Sequence, residues 1–156
     1  MRIGIGVDAH AFEDGTPLVL GGLEFPGERG LAGHSDGDVV THALIDALLG
    51  AANLGDIGTL FPSDDEAFRD ISSLLLLSRA YAQVREAGYE LVNADCVLIG
   101  ERPKIGERRG EMAERLAETL GIDPKLIAVR ATTTDRLGFT GRGEGLAAQA
   151  AALLDR

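Results

Sequence analysis

Apolar and polar positions alternate with a period of two at the start of the chain, where Ile3, Ile5 and Val7 are β-branched, so residues 2–12 read as a strand. Residues 17–25 read as a short hairpin, Leu18-Val19-Leu20 and Leu23-Glu24-Phe25, joined through Gly21-Gly22. A Gly-rich loop over 26–37 then leads into a helix beginning near Asp38, an acceptable first-turn residue. That helix carries Val39, His42, Ala43, Asp46, Ala47 and Leu49 and runs to Ala52. Residues 53–65 read as a loop, and a helix over 69–87 ends at Gly88. Tyr89 to Ile99 predicts a strand, which Pro103-Lys104 breaks. Residues 106–120 form an amphipathic helix stopped by Gly121, and Leu126 to Thr132 a strand running into Thr133-Thr134. The Ala- and Leu-rich segment 144–155 favours helix by propensity alone. No repeat, linker or low-complexity tract interrupts residues 1–156, which reads as one domain.

The chemistry is concentrated at one end. All three histidines fall between positions 10 and 42, each close to an aspartate. On a strand, Asp8 and His10 share a face about 7 Å apart along the backbone, a useful spacing for two ligands of one metal. Imidazole plus carboxylate is the ligand set of a borderline cation such as Zn²⁺, and a third ligand at His42 would leave one tetrahedral position open, as catalytic zinc sites do. On the predicted helix His42 lies one turn from both Asp38 and Asp46, so either carboxylate is expected to hold the ring nitrogen that does not face the metal. Plainer readings compete. Asp8-Ala9-His10 alone suits a strand-end salt bridge, and His34, between Gly33 and Gly37, suits a loop histidine capping backbone. Thr132-Thr133-Thr134 suits a β-branched strand end, although three hydroxyls before Asp135 also suit phosphate contact and Mg²⁺ ligation. Asp56-Ile57-Gly58 reads as a turn or helix start, residues 100–106 as a loop, and 138–142 as a β-turn. Cys96 in an apolar strand reads as inert core.

Composition narrows the class. Apolar content of 45% with 26% charged is ordinary for a globular chain, and a net charge of −10 argues against nucleic acid as a partner. A lone cysteine excludes an intrachain disulfide and a cysteine-rich zinc site. The N-terminus is too short and Gly-interrupted for a signal peptide, and no apolar run approaches the ~20 residues that span a bilayer. A cytoplasmic protein without a membrane partner is expected.

Gly6-Val7-Asp8-Ala9-His10, His34-Ser35-Asp36-Gly37-Asp38, His42, Gly55-Asp56-Ile57-Gly58, Phe61-Pro62, Thr132-Thr133-Thr134 and Gly138-Phe139-Thr140-Gly141-Arg142-Gly143-Glu144-Gly145 occur in that order. Over essentially its whole length the chain thereby resembles the 2-C-methyl-D-erythritol 2,4-cyclodiphosphate synthases of non-mevalonate isoprenoid biosynthesis. The resemblance implies a two-layer α/β (α+β) sandwich like the Bacillus-type chorismate mutase, with a mixed sheet and helices on one face. It also implies that 144–155 is a strand, against its propensity, and that the assembly is a homotrimer with active sites at the subunit interfaces. The activity implied is that of a phosphorus–oxygen lyase. It would close 4-diphosphocytidyl-2-C-methyl-D-erythritol 2-phosphate into the 2,4-cyclodiphosphate, releasing CMP by intramolecular phosphoryl transfer.

The same resemblance distributes roles along the chain. Asp8, His10 and His42 would hold Zn²⁺ or another divalent cation, with a substrate phosphate oxygen in the open position. His34 and Thr133 would stabilise the transition state, His34-Ser35 touching the substrate. Asp56, Ile57 and Gly58, with Phe61 and Asp65, would contact substrate, Asp56 and Gly58 at the cytidine ribose. Backbone groups of Gly100, Pro103, Lys104, Ile105 and Gly106 would read the cytosine edge, with the Lys104 side chain near the phosphates. Thr132, Thr133, Thr134 and Asp135 would meet phosphates, and Asp135 would ligate Mg²⁺ or Mn²⁺. Phe139 and Arg142 would surround the threefold axis, where an isoprenoid diphosphate could bind. The chain departs from the family pattern at Asp135, usually glutamate, and at Ser63, often acidic. The lost methylene at 135 favours ligation through a water. A zinc-dependent diphosphate hydrolase and a trimeric sensor of nucleotides or isoprenoid diphosphates are the competing readings.

Overall fold

The computed structural model describes residues 1–62 and 64–156, so the departure at Ser63 lies outside the described residues. The order of elements is β1 (Arg2–Glu13), β2 (Val19–Leu20), β3 (Leu23–Glu24), β4 (Gly30–Leu31), α1 (Val39–Ala52), α2 (Ile57–Leu60), α3 (Ser73–Glu86), β5 (Glu90–Ile99), α4 (Arg109–Leu120), β6 (Ile127–Thr132), α5 (Gly138–Gly141) and β7 (Gly145–Asp155). Five strands form one mixed sheet in the order β4-β1-β7-β5-β6, and β2–β3 is the separate hairpin anticipated around Gly21-Gly22. β7 runs antiparallel to both neighbours, and β5 is parallel to β6. β1, β5 and β6 therefore point the same way, and their C-terminal ends share one edge of the sheet.

The period-two pattern sets the layers. Leu146, Ala148, Ala150, Ala152 and Leu154 of β7 and Ala94, Cys96 and Leu98 of β5 are buried on the face against which α1 packs. On the opposite face Ile3, Ile5 and Val7 remain 71%, 63% and 63% exposed, an apolar stripe with no helix over it among the described residues. The mixed α/β sheet with helices on one face agrees with expectation, and 144–155 is a strand, as the resemblance implied and propensity did not. The reason is position. β7 is bonded on both edges, to β1 and β5, and its small alanines let α1 lie close. Ladder bonding and packing outweigh the few tenths of a kcal/mol by which alanine prefers helix.

Several boundaries differ from expectation. The helix expected from 69 starts at Ser73, because Asp70 adopts a left-handed φ of 55° and Ser72 caps the Leu74 amide. Residues 66–68 and 106–108 are separate 3₁₀ turns, the second preceding α4. The loop over 53–65 contains α2, and 138–142 holds the short helix α5 rather than a plain β-turn. Asp38 is the N-cap of α1, one position before its first turn.

Gly4 and Gly6 decide how closely α1 approaches β1. A methyl on Gly4 would overlap the main-chain carbonyl of Ala47, and one on Gly6 that of Ala43. His42 opens the same helix, so this contact brings it to the strand that carries Asp8 and His10. Gly6→Ala is expected to lose about 3 kcal/mol of stability, the upper range for overpacking against unyielding backbone. Chemical denaturation checks this, and a loss below about 1 kcal/mol would show that the helix can move away at little cost.

Candidate metal centre and flanking clefts

Asp8 and His10 project from the same face of β1, as period two requires, and α1 lowers His42 onto them. Asp8 Oδ2 lies 2.9 Å from His10 Nε2 and 2.9 Å from His42 Nδ1, and the rings meet edge to face at 5.5 Å. One potential ligand atom from each of the three residues lies within 4.8 Å of the others. The chemistry of the site fits a cation. His10 Nε2 is close to Asp8 but poorly aligned, and it is a buried nitrogen with no hydrogen-bond partner among the described residues. A buried polar atom without a partner is costly unless something else satisfies it.

The electrostatics point the same way. Burial works to raise the Asp8 carboxyl, but the two imidazoles beside it, His10 and the hydrogen-bonded His42, outweigh it and hold the pKa at about 2. Burial works to lower the His42 imidazole, and Asp8 outweighs it, so His42 keeps its proton above the ordinary 6.5. Without metal, the His42 contribution to stability is complete below 6.5 and is lost as pH rises through its raised folded value. The Asp8 contribution is complete above 3.8 and is lost as pH falls toward 2. Metal and proton compete for His42, so zinc affinity is expected to rise as pH climbs from 6.5 through the raised folded value, measured by chelator competition. Metal-free protein should lose melting temperature over the same interval. A flat zinc affinity would contradict this linkage.

The other ring nitrogen of His42 is not held by Asp38 or Asp46. Asp38 is fully buried and occupied by the amides of Gly21, Gly22 and Thr41 at 2.9, 2.8 and 3.0 Å and by the Thr41 hydroxyl at 2.7 Å. It ties the β2–β3 hairpin to the start of α1. Asp46 accepts the Ile57 amide at 2.7 Å and fixes the start of α2. The partners of His42 Nε2 are instead the hydroxyls of Ser73 at 2.8 Å and Ser35 at 3.0 Å. Sequence reading missed Ser73. Its signal was present in Ser72-Ser73 ahead of a leucine run, a helix-start pattern.

Asp8, His10, His34, Ser35, His42, Ile57, Gly58 and Phe61 line one cleft of about 190 Å³, joined by Phe68 and Leu76, which were not anticipated. His34 stays apart from the metal cluster. Its Nε2 bonds the Asp65 carbonyl at 2.8 Å, and its own carbonyl accepts the Asp70 amide at 2.7 Å. Asp56 caps α2 through the Thr59 amide and hydroxyl, and these bonds hold its carboxyl below the usual range. The Asp65 carboxylate is used locally on the Ala67 amide.

Gly100, Pro103, Lys104, Ile105, Gly106, Thr132 and Thr133 line a different cleft of about 350 Å³, together with Arg109 and Ala131. Asp135 lies beside Thr133, Glu101 and Arg136 in an adjoining groove, with the Thr133 hydroxyl on its carboxylate at 3.2 Å. Thr134 turns inward, bonded to the Thr140 hydroxyl at 2.8 Å and the Leu137 carbonyl at 2.7 Å. Phe139 is 42% exposed, and Arg142, paired with Glu144, borders a further cavity. Within one chain the expected site residues thus form two groups. β7 and β5 separate β1 from β6, and three strand spacings amount to roughly 14 Å.

A carboxylate and two imidazoles gathered at a cleft, on the C-terminal edge of the sheet's parallel strands, mark a mixed α/β protein suited to a divalent metal at its functional site. The chain belongs to the YgbB family, whose model matches residues 1–155. It is 57% identical to a 2-C-methyl-D-erythritol 2,4-cyclodiphosphate synthase of Rubrobacter xylanophilus, covering 99% of this chain and 95% of that one. It is 54% identical to the Moorella thermoacetica synthase of the same name, covering 99% and 94%. A solved 2C-methyl-D-erythritol-2,4-cyclodiphosphate synthase in a CDP-bound form superposes with a TM-score of 0.89 at 40% identity, over 99% of this chain and all of that one. The bifunctional IspDF of Campylobacter jejuni superposes at 0.95 with 45% identity, over 98% of this chain and 42% of the longer protein. The family read from the ordered motifs is borne out.

Proposed function

We propose that this chain converts 4-diphosphocytidyl-2-C-methyl-D-erythritol 2-phosphate to 2-C-methyl-D-erythritol 2,4-cyclodiphosphate and CMP, in isoprenoid precursor synthesis in the cytoplasm. The observation that carries the reading is the Asp8–His10–His42 cluster, with its unpartnered buried nitrogen, in a chain 57% identical to a synthase of that name. A 2-phosphate oxygen forms a bond to the β-phosphorus while the bond from that phosphorus to the bridging oxygen breaks, and CMP departs with that oxygen. Attacker and target are both anions, so the protein's task is alignment and charge neutralisation rather than covalent catalysis.

Asp8, His10 and His42 would hold Zn²⁺, which when bound supplies Lewis acidity and a template for phosphate oxygens. Asp135 would take Mg²⁺ or Mn²⁺ with the substrate diphosphate. Ser35 presents a hydroxyl donor to the first cleft, which His34 also lines. Thr132 and Thr133 offer hydroxyls in the second, with Lys104 supplying positive charge and the backbone of 100–106 left for the base. Bringing the two groups onto one substrate calls for a second copy of the chain. A homotrimer with sites at its interfaces would do this and cover the apolar stripe of Ile3, Ile5 and Val7, a feature typical of interaction faces. Phe139 and Arg142 would then lie at the axis, where three arginines suit an isoprenoid diphosphate.

Product analysis in H₂¹⁸O tests the reaction. The expected result is a cyclic diphosphate and CMP by ³¹P NMR, both free of ¹⁸O by mass spectrometry, because the nucleophile belongs to the substrate. Solvent label in a newly formed phosphate would sink cyclisation and favour the hydrolase.

A further inference from the structure

We infer that Ser73 and Asp36 form a hydrogen-bond relay that fixes which nitrogen of His42 faces the metal, making both of them positioning residues for that ligand. The inference rests on Asp8, His10 and His42 being the zinc site. Ser73 is fully buried and opens α3, where its main-chain amide has no partner within the helix. Asp36 accepts that amide on Oδ2 at 2.9 Å and the Ser73 hydroxyl on Oδ1, while Oδ1 also accepts the Asp38 amide at 3.2 Å. The carboxylate is thus anchored at the N-terminus of a 14-residue helix, where negative charge is favoured.

Polarity follows from proton counting. A hydroxyl has one proton, and Ser73 gives it to a carboxylate that can only accept. The Ser73 oxygen, 2.8 Å from His42 Nε2, therefore accepts from that nitrogen. Nε2 must carry a proton, which leaves the Nδ1 lone pair, beside Asp8, for the metal. Ser35 is also near Nε2, at 3.0 Å. It cannot donate to a protonated nitrogen, so its hydroxyl proton is free for the cleft that it lines. The relay connects α3 and the 33–37 loop to a ligand on α1, and its two members contact neither Asp8 nor His10 through any of these bonds.

Zinc affinity of the full-length protein, by chelator competition, is the test, with unfolding curves as the check on fold. Ser73→Ala and Asp36→Asn are each expected to weaken zinc binding by about 10- to 100-fold, the usual range for groups that orient a metal ligand. The Ser73→Ala/Asp36→Asn double variant should bind no worse than Ser73→Ala, because Asp36 acts through the hydroxyl. Additive losses, or folded single variants with wild-type affinity, would overturn the relay. ¹⁵N NMR of the zinc-loaded wild-type protein needs no variant. Protonated Nε2 and metal-shifted Nδ1 on His42 are expected, and the reverse assignment would overturn the proposal even if both variants fail to fold. His42→Ala separates the two levels. If the wild-type protein binds no zinc, or His42→Ala keeps it, the metal assignment fails and the relay with it. If zinc binding depends on His42 but not on Ser73, only the relay fails.

Discussion

Replacing His42 with alanine is expected to strip zinc from the purified protein and to lower kcat by about a thousandfold, roughly 4 kcal/mol of lost transition-state stabilisation. His42 would supply one of three ligand groups, and the remaining pair, Asp8 and His10, two residues apart on one strand, would enclose the cation less completely. The fold should survive. The metal would sit at the edge of the sheet, while the core that holds β1, α1 and β7 together is built from residues such as Leu44, Leu48, Leu146 and Leu154. Elemental analysis and steady-state kinetics on the same preparation, with a melting curve alongside, check all three points. Full zinc content with full activity would remove the cluster from the mechanism. Loss of zinc together with unfolding would make the metal structural.

Mixing two inactive variants, one damaged at each cleft, is expected to restore activity. His42→Ala disables the first cleft and Thr133→Ala the second, which a single chain keeps roughly 14 Å apart across two intervening strands. If each site takes its metal half from one protomer and its Thr133 half from a neighbour, random reassembly of equal amounts makes about a quarter of the sites intact. Recovery to about 25% of wild-type activity after dissociation and reassembly is therefore the expected outcome, against essentially none for either variant alone. No recovery, with mixed oligomers shown by mass spectrometry, would place each site within one chain. A monomer at micromolar concentration by light scattering would dispose of the shared site altogether.

Asp8 and His10 were legible as a pair because strand alternation is a local property. Two residues two apart on a β-strand face the same way whatever packs on them. The existence of α1 and the hairpin turn at Gly21-Gly22 were legible for the same reason, as were the glycine stops at Gly88 and Gly121. The partners of His42 were not. Helical spacing offered Asp38 and Asp46, both one turn away, but each carboxylate is taken by backbone donors, the hairpin amides for Asp38 and the α2 amide for Asp46. The ring turns instead to Asp8, 34 residues earlier, and Ser73, 31 residues later. Such choices depend on which lone pairs remain free once distant segments meet, and no local pattern records that. Segment 144–155 makes the same point for the backbone. Its alanines prefer helix in isolation, and the strand exists because β1 and β5 supply bonding edges on both sides and α1 needs small side chains beneath it. The separation of the expected site residues into two clefts also came from tertiary structure alone. Motif order along a chain carries no information about the two strands that the sheet inserts between β1 and β6.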